Sequence, residues 1–224
     1  MKIAGYATSS APAGTTRLIP SRYPPVPTFD VVTTPDDFEA VMELEGWTND
    51  RLVSPRLARL PRAEWVYGVP NASVVMAAFL HGSPGGLRFS DASLGAWYGS
   101  THPNTALLEV ANGLRKEIAL SALTQKSETY RQYKADLDGD YVDIFGAHPE
   151  YHDPDDASYP VAQAFGRRVR DDGTRAGIRY ESVRHPGHEN WVCFRPPLIQ
   201  SVTQAKHFRI EVPRTGRVVV RQLS

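Results

Sequence analysis

The sequence predicts an α+β fold, a compact mixed β-sheet core with flanking helices, and three observations predict it. Segments rich in β-branched and aromatic residues recur at 177–182, 190–194, 207–212 and 217–223. Two or three segments with apolar residues at i, i+3, i+4 and i+7 lie among the strand-like ones. Strands and helices do not alternate in the regular manner of βαβ units, and no Gly-x-Gly-x-x-Gly motif opens a helix, so neither a Rossmann site nor a P-loop is expected.

Composition sets the outer bounds. A chain of 224 residues buries roughly two thirds of its surface as one domain and needs no disulfide or zinc to hold its core. The single cysteine, Cys193, sits in Trp-Val-Cys-Phe as a small buried hydrophobe, which fits a reducing compartment. With 25 Lys+Arg against 25 Asp+Glu, the charge balance gives no reason to expect nucleic-acid binding by phosphate neutralisation. The longest apolar run, 74–80, is far short of the about 20 residues that span a bilayer. Residues 3–14 are too polar for a signal peptide, so no membrane role and a cytoplasmic location are expected.

The elements follow in order. Nine of the 18 prolines fall in the first 70 residues, and Arg22-Tyr-Pro-Pro-Val-Pro27 reads as extended chain wrapping a surface. Thr34-Pro35-Asp36-Asp37 starts a helix to about residue 44, with Thr34 as cap and Pro35 in the first turn. Residues 65–69 and 73–80 read as strands around the turn Pro70-Asn71. His81-Gly-Ser-Pro-Gly-Gly86 is a loop, and 96–99 returns as a strand. Asn104 is placed to cap a long helix whose stripe is Leu107, Val110, Ala111, Leu114 and Ile118. Residues 136–156 carry eight acids and no Lys or Arg and read as loop. A helix over 158–172 turns Val161, Ala164, Phe165 and Val169 inward and ends at Gly173.

Taken singly, the polar residues have ordinary explanations. His148 and His152 stand four apart, but in an acidic, proline-broken stretch that argues against a metal site. Ser182 with His185 and His188 invites a hydrolase reading, yet no Gly-x-Ser-x-Gly elbow surrounds the serine. Arginines at 167, 168, 170, 175, 179 and 184 read as solvated faces paired with the acidic loop. Arg184 follows Ser182 by two in a strand, so both point to one face. Arg88 follows the glycine loop, where a guanidinium can hold a pyrophosphate in bidentate fashion, or simply face solvent. Glu109 lies off the apolar stripe as a solvated glutamate. Trp97 and Tyr98 alternate as core and surface aromatics.

Together these positions resemble the RES domain family, named for its Arg, Glu and Ser. The resemblance rests on Gly86-Leu-Arg88-Phe-Ser-Asp, Gly95-Ala-Trp-Tyr98-Gly, Thr105-Ala-Leu-Leu-Glu109 and Gly177-Ile-Arg-Tyr-Glu-Ser182-Val-Arg184-His-Pro-Gly. Tyr159-x6-Gly-Arg-Arg-Val-Arg170 and Phe194-Arg-Pro-Pro197 extend it, and it covers about residues 66–204. The family's usual Gly-Gly-Arg-Trp-Asn is here Gly-Gly-Leu-Arg-Phe-Ser: the aromatic is kept, the glycines slip by one and the Asn is absent. The resemblance divides the chain into a proline-rich N-terminal extension, 1–65, packing on a catalytic domain, 66–224.

The resemblance implies a toxin that destroys NAD⁺ by phosphorolysis or hydrolysis, on a fold similar to that of ADP-ribosylating toxins. It implies Arg88, Tyr98, Glu109 and Ser182 as catalytic residues, with Arg88, Ser90, Tyr98 and Arg184 binding NAD⁺. No metal and no cofactor are expected, since NAD⁺ is consumed as substrate, with inorganic phosphate as a candidate co-substrate. A neutralising antitoxin of the Xre type is implied, with a homodimer as one form of the toxin–antitoxin complex. An injected effector with an immunity protein is the alternative setting. Two other functions stay open: an ADP-ribosyltransferase acting on a protein or nucleic acid, and a non-catalytic binding module in which Arg88 and Glu109 form a structural ion pair.

Overall fold

Nine strands join into one mixed sheet, with helices on both faces. The computed structural model describes residues 2–48 and 54–223, so the segment 1–65 is described except for residues 1 and 49–53. The strands are β1 (Ala7–Ser10), β2 (Thr15–Pro20), β3 (Trp97–Ser100), β4 (Gln125–Leu137), β5 (Asp140–Asp143), β6 (Gly177–Glu181), β7 (Glu189–Cys193), β8 (Ile199–Pro213) and β9 (Val219–Leu223). Their order is β1-β5-β6-β7-β3-β2-β4-β8-β9. Every neighbouring pair is antiparallel except β5 with β6. The helices are α1 (Pro35–Thr48), α2 (Ser54–Leu57), α3 (Ala72–Leu80), α4 (Pro103–Ala119) and α5 (Tyr159–Asp172). This is the α+β architecture expected from the sequence.

Side-chain alternation decides what each face of the sheet holds. Trp97, Trp191 and Cys193 pack with Phe29, Phe38 and Phe79 under α1 and α3. The intervening Ala96, Val192 and Phe194 face the other way, onto Phe165 and Val169 of α5. Farther along, α4 lays Ala111, Leu114 and Ile118 on Tyr130, Ile210 and Val212 of β4 and β8. Two strands of this sheet, β1 and β2, come from the first 65 residues, and β2 lies between β3 and β4.

Five local expectations are corrected. Residues 73–80 form helix α3 rather than a strand. All but Ala77 of Ala72–Leu80 are buried, so the run shows no polar face, and a fully buried helix cannot be told from a buried strand by periodicity. Its start is fixed by a distant residue, Asp30, whose carboxylate accepts from the backbone N–H of Asn71 and of Ala72 at 2.9 and 3.1 Å. Residues 65–69 are irregular. The acid-rich stretch 136–156 contains the end of β4 and all of β5, because Tyr141 and Val142 are buried on opposite faces of the sheet.

α5 turns Ala162, Phe165, Gly166 and Val169 inward, one residue round from the expected stripe, leaving Val161 and Ala164 exposed. Gly166 is required there, since a Cβ would sit 2.0 Å from the Phe89 carbonyl oxygen. That close approach seats the 87–91 segment on the helix. The ends behave as expected at Thr34, which accepts from the Asp37 N–H, and at Gly173, whose φ of 71° closes α5. α4 is capped not by Asn104 but by His102, whose Nδ1 accepts from the Asn104 N–H, with Pro103 in the first turn.

Candidate active site

A cleft of about 290 Å³ opens over β2 and β3, walled by α4, by the 87–88 segment and by the turn that follows β6. α4 presents Ala106, Glu109, Val110, Gly113 and Lys116 to it, the i, i+3, i+4, i+7 rows of a second face beside the apolar one. Glu109 is held by one oxygen only. Its Oε1 accepts from Ser182 Oγ at 2.7 Å and from Asn190 Nδ2 at 2.9 Å. Asn190 is in turn fixed by Ser100 Oγ, which donates to Oδ1 at 2.5 Å. No partner for Oε2 occurs among the described residues, so one carboxylate oxygen is left for a ligand.

Ser182 is buried beneath this contact. Its Oγ also accepts from the backbone N–H of Arg184 and of His185 at 3.3 and 3.1 Å. The His185 ring meets Thr105 Oγ1 instead, and the His188 ring meets the Pro186 carbonyl. Among the described residues Ser182 has no histidine ring as a partner for nucleophilic attack, and it holds the glutamate instead. β6 ends at Glu181, so Ser182 and Arg184 lie in a turn rather than on one strand face as expected.

Three arginines reach the cleft held by main-chain carbonyls. Arg88 Nη1 donates to the Tyr151 and Asp153 carbonyls at 3.0 and 2.8 Å, with its guanidinium 4.9 Å from the Tyr159 ring centre. Arg184 Nη2 donates to the Pro154 carbonyl. Arg17 Nη1 donates to the Tyr98 carbonyl at 3.2 Å, and its guanidinium lies over Trp97. The Arg17 Nε is buried without an acceptor, and burial pulls this arginine down to about 10, still protonated at neutral pH. None of the three hydrogen-bonds a carboxylate among the described residues; their charges line the cleft with Glu109, and that of Arg184 helps to lower the Asp156 carboxyl. The Arg88–Glu109 ion pair of the non-catalytic alternative does not occur among the described residues, where each has the partners just given. Lys116 adds a fourth cation, paired with Asp156.

Tyr98 lines the cleft with its ring, while its hydroxyl accepts from the Phe89 N–H and meets Ser90 Oγ at 3.0 Å. Burial pushes that hydroxyl up to about 12, outweighing the bonds from Ser90 and Phe89, so it stays neutral. Ser90, expected to bind ligand, does not line the cleft and acts behind Tyr98. Tyr180 lines it too, raised well above 10 by burial and by the nearby Glu109 charge.

The six arginines of 167–184 divide by role. Arg179 pairs with Asp143 of the acid-rich stretch, and also with Glu189. Arg167 pairs with Asp91, and Arg170 donates to the Leu94 and Gly95 carbonyls. Residues not singled out from the sequence, Arg17, Lys116 and Asn190, complete the site. The signal for two of them was a polar residue inside an otherwise strand-like segment, in Thr-Thr-Arg-Leu-Ile and Asn-Trp-Val-Cys-Phe.

The loop that holds Arg88 is itself held by a neutral histidine. His152 Nδ1 faces the His148 carbonyl at 3.0 Å, and its Nε2 accepts from the Glu181 N–H at 3.2 Å. Burial lowers His152 below 6.5, so the folded state binds fewer protons there than the unfolded one. The stability it contributes is present above the unfolded value of about 6.5 and is lost as pH falls through it. Melting temperature is expected to drop between pH 7.5 and 5.5, and His152→Phe to flatten that part of the profile. An identical slope in the variant places the dependence elsewhere.

The model of the family described as RES domain matches residues 56–213. The chain is also similar to an uncharacterized protein, y4oC, of Sinorhizobium fredii (strain NBRC 101917 / NGR234). The two are 27% identical over 201 residues, which is 86% of this chain and 80% of that one. Among the described residues, no helix is long and apolar enough to cross a membrane.

Proposed function

Because the chain belongs to the RES domain family, we propose that it degrades NAD⁺ by cleaving the bond between nicotinamide and ribose, as a toxin restrained by a cognate antitoxin. The observation that carries the reading is the presence, in one cleft, of a half-free carboxylate, Glu109, and three arginines that hydrogen-bond no carboxylate among the described residues. A dianionic pyrophosphate supplies the missing countercharge, and bidentate guanidinium contacts orient it. Arg17 and Arg88 take that role. Remote binding energy then holds the scissile bond where Glu109 Oε2 can reach the ribose.

Nicotinamide departs as a neutral ring, taking the glycosidic electron pair, so no general acid is needed. The barrier is the oxocarbenium-like ribose left behind, and the Glu109 carboxylate offsets its positive charge. Ser182 and Asn190 hold that carboxylate in place, and Tyr98 lies against the nicotinamide ribose. The acceptor completes the balance. Phosphate, bound by Arg184, gives ADP-ribose-1″-phosphate, whereas water gives ADP-ribose and a proton. An enzyme that consumes NAD⁺ must be blocked in its own cell, and an Xre-type antitoxin encoded in the adjacent reading frame fits that need.

The test is incubation of the purified protein with NAD⁺, with and without phosphate, followed by product analysis. Release of nicotinamide is the expected result, and its phosphate dependence distinguishes phosphorolysis from hydrolysis. Intact NAD⁺ in both arms with folded protein overturns the reading. Label transferred from NAD⁺ to a macromolecule replaces it with ADP-ribosyl transfer.

A further inference from the structure

We propose that His102, His185 and His188 form a three-histidine site for a zinc-class divalent transition ion, which ties the turn after β6 to the start of α4. The proposal concerns ion binding and does not depend on the NAD⁺ reading. His102 precedes α4, while His185 and His188 lie on the turn between β6 and β7. That turn is fixed by main-chain bonds from Ser182 to His188 and from His188 to His185, of 2.8 and 3.1 Å. The three rings meet one another: His102 lies 5.8 Å from His185 and 5.1 Å from His188, and His185 and His188 stack at 3.5 Å.

One ligand nitrogen from each ring lies within 4.8 Å of the other two. A tetrahedral zinc with its usual Zn–N length sets such nitrogens about 3.3 Å apart. Closure asks His102, exposed at a helix start, to rotate away from its 3.3 Å bond to the Asn104 N–H, and the parallel His185 and His188 rings, 6° apart, to splay until their nitrogens converge.

The outer contacts are those of metal-binding imidazoles. His188 Nδ1 faces the Pro186 carbonyl at 3.3 Å, which places the proton on Nδ1 and the lone pair on Nε2. His185 Nδ1 meets Thr105 Oγ1 at 2.8 Å. The carbonyl fixes the tautomer of His188, and the two contacts direct the other nitrogen of each ring toward an ion. No carboxylate contacts any of the three rings among the described residues, so the cluster has no protein anion to compensate protonated imidazoles. An all-imidazole donor set favours zinc, copper or nickel over magnesium and calcium. A fourth position stays open to water, as three protein ligands allow. The same turn carries Ser182, so an ion here steadies the residue that orients Glu109.

Zinc chloride titrated calorimetrically into chelator-treated, tag-free protein tests this. One zinc per chain is expected, with no matching heat from magnesium. His188→Asn and His102→Ala are each expected to weaken zinc binding by on the order of 10- to 100-fold, and Thr105→Val to weaken it by about 10-fold. Circular dichroism establishes that each variant is folded. Absence of stoichiometric binding, or unchanged affinity in folded His188→Asn and His102→Ala, overturns the proposal whatever the protein does with NAD⁺.

Discussion

Glu109→Gln is expected to reduce nicotinamide release by at least about 100-fold, the scale set by removing one electrostatic contact that forms at the transition state, while the melting curve stays close to that of the parent. The asymmetry follows from the two oxygens of Glu109. A glutamine oxygen can still accept from Ser182 Oγ and Asn190 Nδ2, the partners of Oε1, so the buried polar network remains satisfied. What disappears is the negative charge at Oε2, which has only a ligand to meet. Loss in kcat with little change in KM is the expected pattern, because the oxocarbenium charge develops only on the way to the transition state. A variant with parental turnover removes Glu109 from the chemistry. One that fails to fold makes it a structural residue instead.

Arg17→Met is expected to abolish tight NAD⁺ binding, with kcat/KM down on the order of 100-fold, yet to leave melting temperature equal or higher. A half-buried cation with no carboxylate hydrogen-bonded to it among the described residues costs stability, and its buried Nε lacks an acceptor. Methionine fills similar volume over Trp97 and carries no charge. An arginine kept for folding gives the opposite result, a clear fall in melting temperature with binding unchanged. Gains in stability that accompany loss of function mark positions selected for a ligand rather than for the fold. Differential scanning fluorimetry and initial rates on the same preparation read both quantities.

How far the sequence was legible depends on where each signal resides. α4 and α5 carry polar and apolar faces, so their period is visible, and the start at Thr34 and the stop at Gly173 are local chemistry. α3 is not legible, since the residue that caps it, Asp30, lies some 40 positions upstream and its surface offers no contrast. β5 hides because acids flank a strand whose two central side chains are both buried. At the site, Arg88, Tyr98, Glu109 and Arg184 all line the cleft, while Ser90 and Ser182 stand behind it. Arg17 and Asn190 show in the sequence only as polar residues within strand-like segments, and that signal gains meaning only once β2, β3 and β7 lie side by side.

The order of the strands has a consequence for the timing of synthesis. β2 closes against β4 through pairs such as Arg17 with Tyr133, and β3 against β7 through Ser100 with Asn190. These loops close slowly, because their ends are far apart along the chain. A nascent polypeptide therefore presents Arg17 before Glu109, and both before Ser182 and Asn190. A product that stops short of Asn190 lacks part of the cleft.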